Sequence, residues 1–278
     1  MSQTQLIRTT SDLDESGLAS LAGTFAAIAA ELFTPARVTV SITAEESAHQ
    51  TMHAPLMGLL AALPGKAMAE AGQLAPFTSE ATSTAWQYNL PVAYVSRVFR
   101  TVSYTHPDAP VLMVLAKLLR AEFLHREIRE KGGAYGGMAG YNADGGLFSM
   151  LSYRDPHLER TLDVYRQAVE WACKGDFSTE TIKQSILTAF AELDRPLSPG
   201  SRGYREFIHQ QQGMTQEMIQ AFRNGIIAVD QKSLVRVART YLEQTFTASS
   251  VGILAGEEMF SKAQKTLSKM NTRIKRFE

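Results

Sequence analysis

The sequence predicts an α+β fold in which an antiparallel sheet carries helices on one side, preceded by part of another domain. Three observations predict it. Asn89 to Phe99 places Val92, Tyr94, Val98 and Phe99 in a strand-like run, with Pro91 putting its start at an edge or end. Two further strand-like stretches, 134–141 and 147–154, are joined by Asn142-Ala143-Asp144-Gly145-Gly146, which is hairpin chemistry because Asn, Asp and Gly tolerate positive φ. From 157 onward the apolar residues recur at helical spacing.

Taken in order, residues 14–33 read as an amphipathic helix with Leu18, Leu21, Phe25, Ile28 and Leu32 on one face. Val38, Val40 and Ile42 alternate with polar neighbours and read as a strand. Thr43 and Glu46 form a capping-box signature for a helix running to about Leu63, kinked or restarted at Pro55. Residues 1–63 are therefore set apart as a helix–strand–helix piece. Residues 64–87, rich in small residues without a clean period, read as a linker. The main domain is expected over 88–278. In it a helix with Pro110 in its first turn carries Val111, Leu112, Leu115, Leu118 and Leu119. Helices follow at about 157–174, 179–193, 204–212, 215–228 and 231–244, with Gly213 and Asp230 as stop and start signals. Arg154 and Asp155 read as an ion pair closing a strand end. A strand at Ser249–Ala255 precedes a last helix beginning near Glu257, and the basic tail Lys262 to Arg276 reads as a solvated helix face.

Lys and Arg together number 28, as do Asp and Glu, so no global field favours nucleic acid or an anionic membrane. With 45% hydrophobic and 20% charged residues the composition is that of a globular protein with a sizeable core. The single cysteine, Cys173, excludes an intrachain disulfide and sits where a small core residue belongs. Met1 to Thr10 has no apolar core of a secretory signal. Leu18 to Phe33 is too short to span a bilayer and contains Glu31. A cytoplasmic location is expected, with an organellar matrix as the alternative.

The richest stretch runs from Arg126 to Gly137. A charged helix end leads into Gly132-Gly133 and then to Tyr135 at the start of a strand. Paired glycines let the chain turn sharply and let another backbone come close. Arg129 and Tyr135 then project from either side of the turn, where a guanidinium and a phenol could hold a peptide carbonyl or the oxyanion growing from it. On spacing alone, a surface arginine and a half-buried tyrosine flanking a glycine-rich hairpin is the favoured reading.

Four motifs occur together and in order over 88–256. They are Arg129-Glu130-Lys131-Gly132-Gly133-Ala134-Tyr135-Gly136, Ser152-Tyr153-Arg154-Asp155-Pro156 with the later Leu162 and Trp171, Asp194-Arg195-Pro196-Leu197-Ser198-Pro199, and Gly213-Met214-Thr215. This combination resembles the C-terminal half of presequence-protease-type members of the pitrilysin/insulinase zinc metallopeptidases. The resemblance implies an α/β roll of that family and a clamshell of two homologous halves closing on an unstructured peptide. It also implies a zinc ion held by the N-terminal half, and that residues 1–63 are the closing helix–strand–helix of a preceding homologous domain. By the same resemblance Arg129 binds the peptide backbone, Tyr135 donates to the scissile carbonyl oxygen, and Gly132 and Gly133 form the substrate-facing corner.

No His-x-x-Glu-His or His-Glu-x-x-His run is present. His49 and His53 have zinc-compatible spacing on a helix, but Gln50 stands where a general base would be needed, so no metal ligands are assigned. The partners expected are an N-terminal catalytic half, on the same or a separate chain, and an unstructured peptide. Nucleic acid and membrane are not expected. The alternatives are a non-catalytic peptide-binding or scaffold subunit of the same family, and a homo-oligomer built on an exposed apolar face.

Overall fold

The computed structural model describes residues 3–63 and 80–276. The chain divides into two compact units: Met1–Phe77 with Leu197–Gly213, and Thr78–Pro196 with Met214–Glu278.

The first unit holds α1 (Gln3–Ser11), α2 (Glu15–Leu32), α3 (Glu46–Ala61) and the later excursion Pro199–Gln211. Asp14 caps α2 by accepting from the Gly17 amide at 2.7 Å. The predicted apolar face of α2 is present, but Phe25 remains 62% exposed, and Leu18, Ile28 and Leu32 are also exposed. Two expectations are corrected. Residues 38–45 are extended but belong to no strand, because their alternating side chains have no partner ladder among the described residues. The helix start lacks the capping box: Glu45, not Thr43, is the cap residue, and it makes no side-chain cap bond. Pro55 is accommodated inside α3. Most of the expected linker, 64–79, lies outside the described residues.

The second unit is built on one six-stranded sheet: β1 (Ser83–Gln87), β2 (Ala93–Arg100), β3 (Gly136–Asn142), β4 (Leu147–Asp155), β5 (Ser250–Ala255) and β6 (Arg273–Arg276), in the order β3-β4-β2-β5-β1-β6. Strands β3, β4, β2 and β5 are mutually antiparallel, as expected. The other edge differs. β1 runs parallel to both β5 and β6, so the sheet is mixed. Thus Ser83–Gln87, inside the expected linker, is a strand, and the basic tail ends in another rather than in a helix face.

The helical layer of this unit comprises α4 (Ala109–Leu118), α5 (Leu158–Lys174), α6 (Thr179–Leu193), α7 (Gln216–Ile227) and α8 (Gln231–Val237). Their boundaries follow the sequence signals. Ser178 and Thr215 accept from the amides three residues on, Asp230 and Ser233 form a reciprocal capping box, and α5 ends at Gly175 with φ +75°. One face of the sheet supplies Ala93, Val95, Phe99, Phe148, Met150, Val251 and Ile253 to the core beneath these helices. Tyr165 of α5 is fully buried and donates its hydroxyl to the Val95 carbonyl at 2.9 Å, fixing α5 under β2. The alternate residues of the same strands, among them Tyr94, Ser96 and Leu151, face the other way and are only partly covered.

Helix α4 continues without a break into a wider, π-type helix, Leu119–Glu130, and the Lys131 amide reaches back five residues to the Arg126 carbonyl at 3.0 Å. The start of α4 is tied down by Asp108. Its buried carboxylate accepts from both terminal nitrogens of Arg236, one at 2.9 Å, and from the Tyr241 hydroxyl at 2.8 Å. Those bonds from Arg236 hold the acid below the usual carboxylate range.

Candidate functional site

The π-type helix delivers Arg129 to its last turn, and two glycines then reverse the chain into β3. Gly133 has φ +74° and donates its amide to the Arg129 carbonyl at 2.9 Å. That backbone conformation is strained for any side chain with a Cβ. Gly132 is needed for a different reason. A Cβ there would stand 2.4 Å from the Ile128 carbonyl oxygen and 2.5 Å from Arg160 Nη1. The two predicted glycines therefore do separate work, one through its torsion and one through close approach.

Arg129 and Tyr135 emerge on the two sides of this corner, and both are exposed. Neighbouring charges are neutralised locally. Glu127 accepts from Lys131 Nζ at 2.8 Å and from Arg126 Nε at 3.0 Å, and the Lys131 bond first of all holds its carboxyl below the usual range. The Arg129 guanidinium lies 3.3 Å from His125 Nε2, and His125 Nδ1 lies 3.2 Å from Glu130. Among the described residues no carboxylate contacts the Arg129 guanidinium directly.

Tyr135 is 69% exposed but not adrift. Its amide bonds to the Tyr153 carbonyl at 3.1 Å and more weakly to that of Arg154 at 3.4 Å. Its ring meets the Tyr153 ring edge-on with centroids 5.6 Å apart, and Tyr153 in turn meets Tyr94 edge-on at 5.3 Å. A β-bulge makes this possible. Between the pairs Ala93–Asp155 and Val95–Ser152, two residues of β4 oppose one of β2, and Arg154 adopts φ +51°. Tyr153, Tyr94 and Arg160 are the members of this surface whose place was not read from the sequence; Tyr153 entered there only inside a motif.

The expected Arg154–Asp155 pair is corrected. Buried Asp155 accepts instead from the His157 amide at 2.8 Å and the Thr161 hydroxyl at 2.5 Å, tying the end of β4 to the first turn of α5. Arg160, in the first turn of that helix, rests on Gly132 and also lines a cleft of about 1400 Å³. The cleft opens between the ends of β1 and β5 and the start of α5, with His157, Gln87 and Lys262 in its wall.

Among the described residues, no three His, Cys, Asp or Glu side chains converge on a point that could hold a metal ion. His49 and His53 lie on exposed α3. The described residues therefore do not fit a zinc site. No described helix is long and apolar enough to cross a membrane.

Comparison with known proteins bears on the family and the fold. The family model of the PreP C-terminal domain matches residues 88–256. The mitochondrial presequence protease of Danio rerio is 42% identical over 174 residues, which is 63% of this chain and 17% of that protein. The Yarrowia lipolytica protein of the same name is 39% identical over 186 residues, or 67% of this chain and 18% of that protein. The chain thus spans less than a fifth of the length of these relatives. Among solved structures, a protease from Helicobacter pylori superposes with TM-score 0.56 at 16% identity, covering 73% of this chain and 52% of that one. Pitrilysin superposes with TM-score 0.53 at 14% identity, covering 75% and 23%. At such identities these two speak for the fold, a pitrilysin-like one. The sequence match carries more than the fold: this chain belongs to the PreP C-terminal domain family.

Proposed function

We propose that the chain is the substrate-holding C-terminal part of a zinc metalloendopeptidase that degrades unstructured peptides. The observation that carries this reading is the corner itself, where a guanidinium and a phenol flank two glycines at the mouth of a strand. Arg129 holds the peptide backbone near the bond to be cleaved. Tyr135 donates its hydroxyl to the carbonyl oxygen of that bond. As the carbon becomes tetrahedral, negative charge grows on this oxygen and the hydrogen bond strengthens, so the phenol favours the transition state over the bound peptide. Gly133 leaves the outer side of the corner open toward the peptide, and Gly132 lets the corner close tightly on the Ile128 carbonyl beneath it.

Zinc, where present in the complete enzyme, would be held by ligands other than the described residues and would supply hydrolytic chemistry. The partner required is accordingly an N-terminal half bearing that site. The relatives are named mitochondrial, which favours an organellar matrix over the cytoplasm as the working compartment. The test is complementation. The folded chain mixed with a zinc-loaded N-terminal half is expected to cleave an unstructured peptide, with each component inactive alone. A folded mixture without activity removes the reading.

A second reading is a non-catalytic peptide-binding or scaffold subunit. It is favoured by the lack of a fitting metal set here and by a structural neighbour at TM-score 0.56 described as the inactive domain of a peptidase. Under it, Arg129→Ala and Tyr135→Phe leave both peptide affinity and the activity of the mixture unchanged.

A further inference from the structure

The face of the sheet turned away from the helices is apolar, and it begins at Tyr135. Trp86 of β1, Tyr94 of β2, Met138 of β3, Leu151 and Tyr153 of β4, and Leu254 of β5 surround a shallow cavity of about 380 Å³. Five of these come from the antiparallel strands that continue the corner, and the Tyr135–Tyr153–Tyr94 ring contacts make the cavity wall continuous with the candidate site. The floor is low because the residues between the large ones are small: Ser96 donates its hydroxyl to the Gly252 carbonyl at 3.2 Å, and Gly252 has no side chain. Lys275 stands at the rim with its ammonium 4.7 Å from the centre of the Trp86 ring.

We infer that this cavity is a specificity subsite that receives one bulky apolar side chain, aromatic or long aliphatic, of the peptide held by Arg129 and Tyr135. The inference rests on the proposed function and adds its substrate preference. Three features select that occupant. The wall is aromatic and aliphatic, so a polar side chain would lose its water without gaining partners. The volume suits one or two side chains, whereas a docked helix is about 10–12 Å across and needs a longer trough. The position is right as well: the Tyr153 ring of the wall stands 5.6 Å from the Tyr135 ring and the Tyr94 ring a further contact of 5.3 Å on, within reach of the next few residues of an extended peptide at about 3.3 Å each. Exposed cyclic and branched surface of this kind on a strand face is costly to leave in water, and a peptide side chain covers it only while substrate is bound.

Two unstructured synthetic peptides, Ser- and Gly-rich and differing only in a single Phe or Ser, test this with the full chain, Trp86 emission or calorimetry giving the affinity. The Phe peptide is expected to bind about tenfold more tightly. Leu151→Asn, which makes the wall polar, and Met138→Trp, which fills the space, should each erase that preference while the Ser peptide binds as before. Arg129→Ala should weaken both peptides alike and leave the ratio intact. Equal affinity of the two peptides for the wild type, or variants of the wall that keep the ratio, overturns the subsite alone. Loss of the preference when the N-terminal half is added shows the face to be a packing surface and also overturns it. Failure of both peptides to bind overturns the subsite together with the proposed function.

Discussion

Tyr135 leans on Tyr153 twice over, through a backbone hydrogen bond of 3.1 Å and an edge-on ring contact at 5.6 Å. The phenol proposed to meet the scissile carbonyl therefore has its direction set by a neighbour on β4. In the complemented enzyme, Tyr135→Phe is expected to lower kcat by about 10²–10³ with little change in KM, since the lost bond acts mainly in the transition state. Tyr153→Ala should lower kcat up to about tenfold, the order of one aromatic pair, and Tyr153→Phe should restore it. A Tyr153→Ala enzyme as active as the wild type would deny Tyr153 a positioning role.

The glycine corner makes a prediction about stability as well as activity. Gly132→Ala puts a methyl against the Ile128 carbonyl, a backbone group that cannot swing aside. Urea unfolding should register a loss of about 2–4 kcal/mol. Gly133→Ala meets open space apart from the Pro156 ring at 3.9 Å and pays only for its positive φ, about 1–2 kcal/mol. The expected order, 132 worse than 133, separates crowding from torsion.

How much of this was legible beforehand depends on how local the signal is. The α4 start at Pro110, the 142–146 hairpin and the caps at Asp230 and Gly213 all announce themselves within a few residues, and the structure has them. β1 and β6 do not. Ser-Thr-Ala-Trp-Gln is a weak strand sequence that becomes one by pairing with residues some 168 positions away, and Arg-Ile-Lys-Arg is exposed on both faces. Val38, Val40 and Ile42 err in the opposite direction, since alternation without a partner ladder makes only an extended segment. Arg129 and Tyr135 stood out because they share one motif with two glycines. The apolar cavity was invisible, because its walls come one or two residues at a time from five strands.

Acid should find the Asp108 cluster. Its folded pKa is depressed by Arg236, so the stabilisation is fully present above the unfolded value near 4 and is lost as pH falls through the folded one. Asp108→Asn is expected to cost about 1–3 kcal/mol at pH 7, a bidentate charge-assisted contact whose arginine is partly in water. The gap between wild type and variant should begin to narrow below about pH 4 in thermal melts and close once the pH has passed the folded value. A gap that does not narrow with acid would assign the cost to packing instead.

Cys173 should be inert. It is buried in α5, and burial pushes its thiol up to about 11, so almost no thiolate exists near neutral pH. A thiol reagent at pH 7.5 is expected to label the folded chain far more slowly than the chain in urea. Rapid labelling without denaturant would mean that α5 opens locally.

The extra residue in β4 is absorbed without turning the strand over. Ser152 and Asp155 both point inward although they are three apart, an interval that ordinary alternation would place on opposite sides. Shortening the strand by Arg154 alone would leave Asp155 two residues from Ser152 and opposite Ala93, on the inner side as before, where it meets the His157 amide and the Thr161 hydroxyl. What the single residue changes is the outer side, where its carbonyl and that of Tyr153 receive the Tyr135 amide; the edge beside the phenol can thus be altered while the helix side of the sheet stays closed.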